Sequence, residues 1–343
     1  MFEELLLVAL RLRVRFFEAT SMEAGQQCLF CHEVVEDGPD CQTCLKHMAV
    51  KALECFGEGI RDASVLQMLT NEPDDPLANL AILGSLCLLK IAIPGVKTSQ
   101  LNGESPLYKT DLQLYLLAVI WLDFYLRRNP RNDSLRMLLV KLYLNMGCVT
   151  RALQVWESFD VKNTLLESLG SMYIDRLASI SPSHFAPGPG GQNNLSNAFV
   201  HHFETAIRKR YPEAAIRALQ AGSYVQLGQS ILLAQDQSRN CALVLAVVER
   251  RRGARLKSGK SESSIQDEPL IGEFDWAALR WEMDETKIAL GSLSPDYVLE
   301  DATDYEPLPN WGKPGFPTTE QLVSYGPLPT VNSPLVLLFR QYH

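Results

Sequence analysis

Cys28, Cys31, Cys41 and Cys44 read C-x2-C, nine intervening residues, then C-x2-C. This spacing constrains the chain more tightly than any other feature. Two thiolates two residues apart can grip one cation from a single tight turn. Two such turns supply four sulfurs, the donor set of a tetrahedral zinc site. A zinc ligated on all four sides keeps no open position for water or substrate, so the pattern predicts a structural staple rather than a metal-centred active site. The competing reading is a set of ordinary buried or free thiols. Cys55, Cys87, Cys148 and Cys241 lack such pairing and read as small core residues.

Composition bounds the rest. The chain has 343 residues, 46% of them apolar, enough for an extended helical array or about two globular domains. Its formal net charge of -8 excludes a protein built mainly to bind DNA, so any contact with nucleic acid must come from a local patch. Eight cysteines in a chain of this length are too sparse for a disulfide scaffold and point to a reducing, cytoplasmic compartment. The start is acidic at Glu3 and Glu4 and is interrupted by Arg11, Arg13 and Arg15, which does not match a secretory signal. Pro76–Ile93 and Asp111–Leu126 are strongly apolar but carry Asn79, Lys90, Asp111 and Asp123, so they are predicted as buried helices and not as membrane spans.

Helical periodicity runs through most of the chain, and no segment alternates between hairpin turns as a strand would. The expected helices are Phe2–Ala19, Leu45–Phe56, Pro76 up to Pro94-Gly95, Asp111–Arg128, Asp133–Met146, Thr150–Phe159, Thr164–Ile180, Asn197–Arg210, Pro212–Leu227, Ser230–Arg255 and Asp275–Leu290. Asp74 or Asp75 is placed to cap the third. The fold class is therefore all-α. Residues 1–255 form a helical-repeat array with the cysteine knuckles (28–44) as an insertion, 256–274 a flexible linker, and 275–343 a C-terminal helix followed by an irregular Pro-rich tail.

Within Asp133–Phe159, Leu139, Tyr143, Gly147, Ala152 and Trp156 match the spacing of a tetratricopeptide unit, in which small residues let two helices approach and aromatic rings fill the groove between them. A degraded copy is expected at Ala218–Gly228, aligning Tyr224 and Gly228 with Tyr143 and Gly147. Stacked helix pairs of this kind predict a tetratricopeptide-like solenoid with a broad concave face; an ordinary helical hairpin is the alternative.

Two basic runs stand against the acidic background: Arg208-Lys209-Arg210, and Arg250, Arg251, Arg252, Arg255 and Lys257. Positive charge at a helix C-terminus is favoured by the helix dipole, and the same charge could contact ribosomal RNA. No catalytic constellation emerges. Gly188-Pro189-Gly190-Gly191 follows no strand and loses a backbone donor at Pro189, so it does not read as a cofactor loop. His184, His201 and His202 have no partner that the sequence can place beside them.

The run Leu138-Leu139-Val140-Lys141-Leu142-Tyr143-Leu144-Asn145-Met146-Gly147-Cys148, with Ala152-Leu153, Phe159-Asp160-Val161-Lys162-Asn163, Leu166-Glu167-Ser168-Leu169-Gly170, Gly222-Ser223-Tyr224-Val225-Gln226 and Pro307-Leu308-Pro309-Asn310-Trp311, resembles the non-catalytic subunit of the NatB N-terminal acetyltransferase. The resemblance is to the C-terminal portion of that family, whose members are much longer. It implies a tetratricopeptide-like horseshoe without catalysis of its own. Such a subunit wraps a GNAT-type catalytic partner and anchors it at the ribosome, where nascent chains beginning Met-Asp, Met-Glu, Met-Asn or Met-Gln are acetylated. The alternative is a zinc-stapled helical-repeat adaptor for an unrelated protein partner. The cysteine cluster stands on its own spacing and is not part of the resemblance.

Overall fold

A computed structural model describes residues 2–23, 25–35, 40–69, 75–93, 110–160, 164–182, 199, 201–203, 205–238, 240–258, 307–313 and 318–323. The expected linker over Lys97–Tyr108, the Gly188–Gly191 run, His184 and the helix Asp275–Leu290 lie outside the described residues. The chain divides into two compact units, one of Met1–Phe159 with Tyr305–Pro327, the other of Asp160–Asp304 with Leu328–His343.

The first unit is built around a helix that is apolar on nearly every side. Helices α1 (Phe2–Ala19), α2 (Gln42–Arg61), α3 (Ala63–Met68), α4 (Pro76–Ala92) and α5 (Leu112–Leu126) pack so that α4 is enclosed by α1, α2 and α5. This enclosure accounts for the unbroken apolar run of α4, since a helix without a polar face must be covered all round. No helix among the described residues is long and apolar enough to cross a membrane. Asp75 caps α4 through the Ala78 N–H, with Pro76 in the first turn. The other carboxylate oxygen of Asp75 accepts from the Tyr125 hydroxyl at 2.7 Å and the Asn129 amide at 2.6 Å, tying the start of α4 to the end of α5. Phe56 of α2 meets Trp121 and Tyr125 of α5 edge-on, with ring centres 5.5 and 5.4 Å apart.

Helices α6 (Asp133–Asn145) and α7 (Val149–Glu157) complete the helical pair read from the sequence. Asn132 caps α6 by accepting from Leu135 N–H. Leu139, Tyr143, Ala152 and Trp156 are all buried. Gly147 takes φ = 72°, which a side chain would strain, and lets Cys148 N–H reach back to Tyr143 C=O at 2.8 Å. The tail residues Leu308 and Val323 are buried, and Asn145 donates to Val323 C=O at 2.6 Å.

In the second unit, α8 (Thr164–Ile174) and α9 (Leu177–Ile180) replace the single helix expected over Thr164–Ile180. Arg176 adopts φ = 60° and breaks it, while the buried Glu249 carboxylate accepts from Ala178 N–H and satisfies the new helix start. After a short π-turn at Ala206–Arg210 come α10 (Tyr211–Gln220), α11 (Tyr224–Ser238) and α12 (Cys241–Ser258). The expected boundaries near Gly228 and within Ser230–Arg255 are corrected. The turn falls at Gly222, and Asn240, accepting from Ala242 N–H, starts a separate helix. Gly222 has φ = 70°, and Ser223 N–H donates to Ala218 C=O at 2.8 Å, repeating the geometry at Gly147. The counterpart of Gly147 is thus Gly222 and not Gly228; Tyr224 lies exposed in the first turn of α11.

Asp123 joins α5 to the α6–α7 pair. Its carboxylate accepts from Tyr143 Oη, Arg151 Nη2 and Arg127 Nε at 2.8, 2.8 and 2.9 Å. Burial works to raise its pKa, but the hydrogen bonds from Arg151, Tyr143 and Arg127 overcome it and hold the group below the ordinary value of 3.8. The ionised form is therefore favoured by folding. Its contribution is present at neutral pH and is lost as pH falls below 3.8 through the lower folded value. Asp123→Asn should cost about 1–2 kcal/mol at pH 7 in urea titrations. The gap from the parent should narrow on the acid side; a gap independent of pH would contradict the charge assignment.

Candidate metal centre

Residues Gly25–Val35 fold back on themselves. Gly25 N–H donates to Val35 C=O, Val35 N–H to Gln26 C=O and Cys28 N–H to Glu33 C=O, at 2.8 to 2.9 Å. Gln27 and Val34 form an isolated antiparallel bridge. The turn closes at His32, whose φ of 59° aims the chain back, and His32 N–H reaches Cys28 C=O at 2.9 Å. Cys28 and Cys31 therefore sit on one tight knuckle. The second pair is carried by a helix start: Cys41 is the residue before α2, and Cys44 lies in its first turn. Cys41 N–H donates to Ala19 C=O at 2.8 Å, which fixes the second knuckle to the end of α1. The Thr43 hydroxyl donates to Glu33 and links the two knuckles.

The four sulfurs lie within 4.8 Å of one another, with Cys28–Cys44 at 3.5 Å and Cys31–Cys41 at 3.3 Å. None is in a disulfide. A zinc tetrahedron with Zn–S bonds of about 2.3 Å has S···S edges of about 3.8 Å, so the donor set and its spacing fit this ion. Cys28, Cys41 and Cys44 are buried and Cys31 half-buried. Burial opposes charge on Cys28, yet the N–H groups of Cys31 and Phe30 and the thiols of Cys44 and Cys41 bring its pKa down from 9.0 to about 7. Burial raises Cys41 to about 11, aided by the thiols of Cys31 and Cys28 and opposed by the Cys44 N–H. Cys44 is pushed up further, by burial first and then by its sulfur neighbours. Burial thus works against charge on Cys28, Cys41 and Cys44 alike, and a bound cation would favour their thiolate forms. His32 and His47 are exposed and stand outside the sulfur cluster. Cys55, Cys87 and Cys241 are buried and are not members of the four-sulfur cluster, and Cys148 is exposed.

The other residues singled out in the sequence take different places. Leu139 and Tyr143 of α6 and Ala152 and Trp156 of α7 are buried, the two helices pack together, and Gly147 lies in the turn between them. Arg208, Lys209 and Arg210 are exposed. In the second run, Arg252 is half-buried with Nη1 3.5 Å from Glu249 Oε1, so its charge is engaged within the fold. The side chains of Arg250, Arg251, Arg255 and Lys257 lie outside the described residues. His202, which the sequence could not pair, is buried with Nε2 2.8 Å from Glu167 Oε1 and packs edge-on against Phe203. Thirty-five positions separate this pair, and no local spacing announces it. His201 is exposed.

A family model described as the N-acetyltransferase B complex (NatB) non catalytic subunit matches residues 26–283. The matched span holds both cysteine pairs and the α6–α7 pair. Comparisons with curated proteins and with solved structures gave no match. A chain whose described elements are helices and which is matched over three quarters of its length, from the first knuckle to beyond α12, belongs to the family of the non-catalytic subunit of the NatB N-acetyltransferase complex.

Proposed function

We propose that this chain is the auxiliary, scaffolding part of a NatB-type acetyltransferase. It holds a GNAT-type catalytic subunit on its helical surface and helps bring it to the ribosome in the cytoplasm. The family match over residues 26–283 carries this reading. Acetyl transfer to nascent chains beginning Met-Asp, Met-Glu, Met-Asn or Met-Gln then belongs to the partner. The α6–α7 and α10–α11 pairs act as tetratricopeptide-like repeats of a solenoid; the same glycine turn at Gly147 and Gly222 supports that assignment. The array covers residues 1–255, 256–274 is a linker, and 275–343 forms a helix and tail. Arg250, Arg251, Arg255 and Lys257, with the exposed Arg208–Arg210 run, supply the charge for ribosomal RNA in a chain otherwise of net charge -8.

Zinc occupies the Cys28, Cys31, Cys41, Cys44 site as a structural ion. Four mutually close thiols, with backbone N–H groups facing Cys28, support this, and four sulfur ligands leave no place for a reacting molecule. The ion locks the junction between α1 and α2, where Cys41 is bonded to Ala19.

Two experiments follow. Coexpressed with a NatB-type catalytic subunit, the full chain should co-elute with it and pellet with ribosomes at low salt, with ribosome binding declining as salt rises. Separate elution at micromolar concentration would defeat the scaffold reading. Metal analysis should find about one zinc per chain, and Cys28→Ser with Cys31→Ser should lower the melting temperature on the order of 5–10 °C. An unchanged melt would refute the staple.

A further inference from the structure

Helix α1 is apolar on two opposite faces. Leu5, Ala9, Leu12, Phe16 and Ala19 are buried within the first unit. Stepping about 100° per residue, Leu7, Leu10, Val14 and Phe17 fall within about 80° of one another on the far side. Leu7, Leu10 and Val14 are 52%, 49% and 62% exposed. Their spacing of three, four and three residues is the a/d seam of a two-helix pairing. An amphipathic surface helix needs only one such stripe, and a helix with two is built to lie between neighbours.

The second stripe has walls. On one side it opens into a depression of about 520 Å³ lined by Leu7, Leu10, Val14, Arg11, Arg15 and Phe30. On the other lies one of about 420 Å³, lined by Leu10, Val14, Phe17, Arg13 and Trp311. Each wall is an arginine laid over an aromatic ring: Arg15 sits 4.9 Å from the Phe30 ring centre and Arg13 4.7 Å from that of Trp311. Both arginines remain exposed while stacked. Arg11 adds a third exposed charge on the Phe30 side. The midsection of the stripe is therefore flanked by arginines on both edges; within α1 itself the carboxylates lie towards the ends, at Glu3, Glu4 and Glu18.

We propose that this face of α1 is a docking groove for one amphipathic helix of a protein partner, with an apolar a/d seam edged on both sides by Asp or Glu. Charge selects this occupant. A second copy of the chain paired in register through the same seam would bring Arg11, Arg13 and Arg15 against the same three arginines, which opposes self-association. An acidic helix places a carboxylate opposite each guanidinium, where planar paired hydrogen bonds can form. The proposal does not depend on which enzyme the chain serves.

The test uses the full chain and a synthetic peptide of about three heptads, with Leu at a and d and Glu at e and g, whose own charges oppose self-pairing. Fluorescence anisotropy should give a micromolar Kd that weakens several-fold between about 0.05 and about 0.5 M salt. The same peptide with Lys at e and g should bind at least about 10-fold more weakly. Leu10→Glu with Val14→Glu should abolish binding, and Arg11→Glu with Arg15→Glu should reverse the preference between the two peptides. All four positions are exposed, so both variants should melt as the parent does. Equal binding of the two peptides, binding insensitive to these substitutions, or no binding at about 100 µM, a concentration that should saturate a micromolar site, overturns the proposal. So does concentration-dependent dimerisation of the parent chain that Leu10→Glu with Val14→Glu abolishes.

Discussion

A helix as apolar as α4 can be enclosed on every side only if its one charge is matched. Lys90 is that charge, buried near the end of α4, and Asp40 meets it at 3.0 Å. Burial raises the Asp40 pKa, and Lys90 works against that rise. Neither partner is cheap to hide alone, and losing one would strand the other in a region of low polarity. Because Asp40 directly precedes Cys41, the ion pair also sets where the second cysteine knuckle lies. The hydrogen bond from Cys41 to Ala19 brings the end of α1 to the same spot. One ion pair thus joins the central helix, the cysteine-bearing turn and the first helix.

How legible this was depended on the range of the forces involved. The cysteine cluster was readable because its four cysteines lie within seventeen consecutive residues, and a knuckle is a local structure. Helix starts at Asp75, Asp111 and Asn132 were near their expected places because a cap acts on the next three residues. The α6–α7 pair followed from its glycine turn. The second pair was misregistered because its Tyr-to-Gly step copied the sequence of the first but not its geometry. The backbone needs a left-handed residue where α10 ends, and Gly222, not Gly228, meets that need. Asp40–Lys90 and Glu167–His202, separated by fifty and thirty-five positions, left no trace in any window of sequence. The break at Arg176 was hidden for the same reason, since the carboxylate that stabilises the new helix start comes from Glu249.

The two glycine turns bear on how a chain of this family can present a surface. In each pair a short first helix ends on a left-handed glycine, and the next N–H returns to a carbonyl five residues back. The direction of the second helix is then fixed by backbone geometry and needs little from side-chain packing. In α6–α7 Leu139, Tyr143, Ala152 and Trp156 are buried. In α10–α11 Ile216, Leu219, Val225, Ile231, Leu232 and Leu233 remain exposed. The same turn therefore occurs in one pair whose apolar residues are buried and in another that leaves several of them exposed.

The cysteine centre and the outer face of α1 are physically linked through Phe30. That ring lies between Cys28 and Cys31 in the chain, and Arg15 of α1 stacks upon it. Its position is set by the knuckle, since the bonds that close Gly25–Val35 run on both sides of it. Whatever holds the four sulfurs together also holds one wall of the groove, while Trp311 supplies the other wall from the far end of the chain. A structural ion at this junction would act at a distance from its ligands. By fixing Phe30 it would fix Arg15, one of the charges that edge the groove.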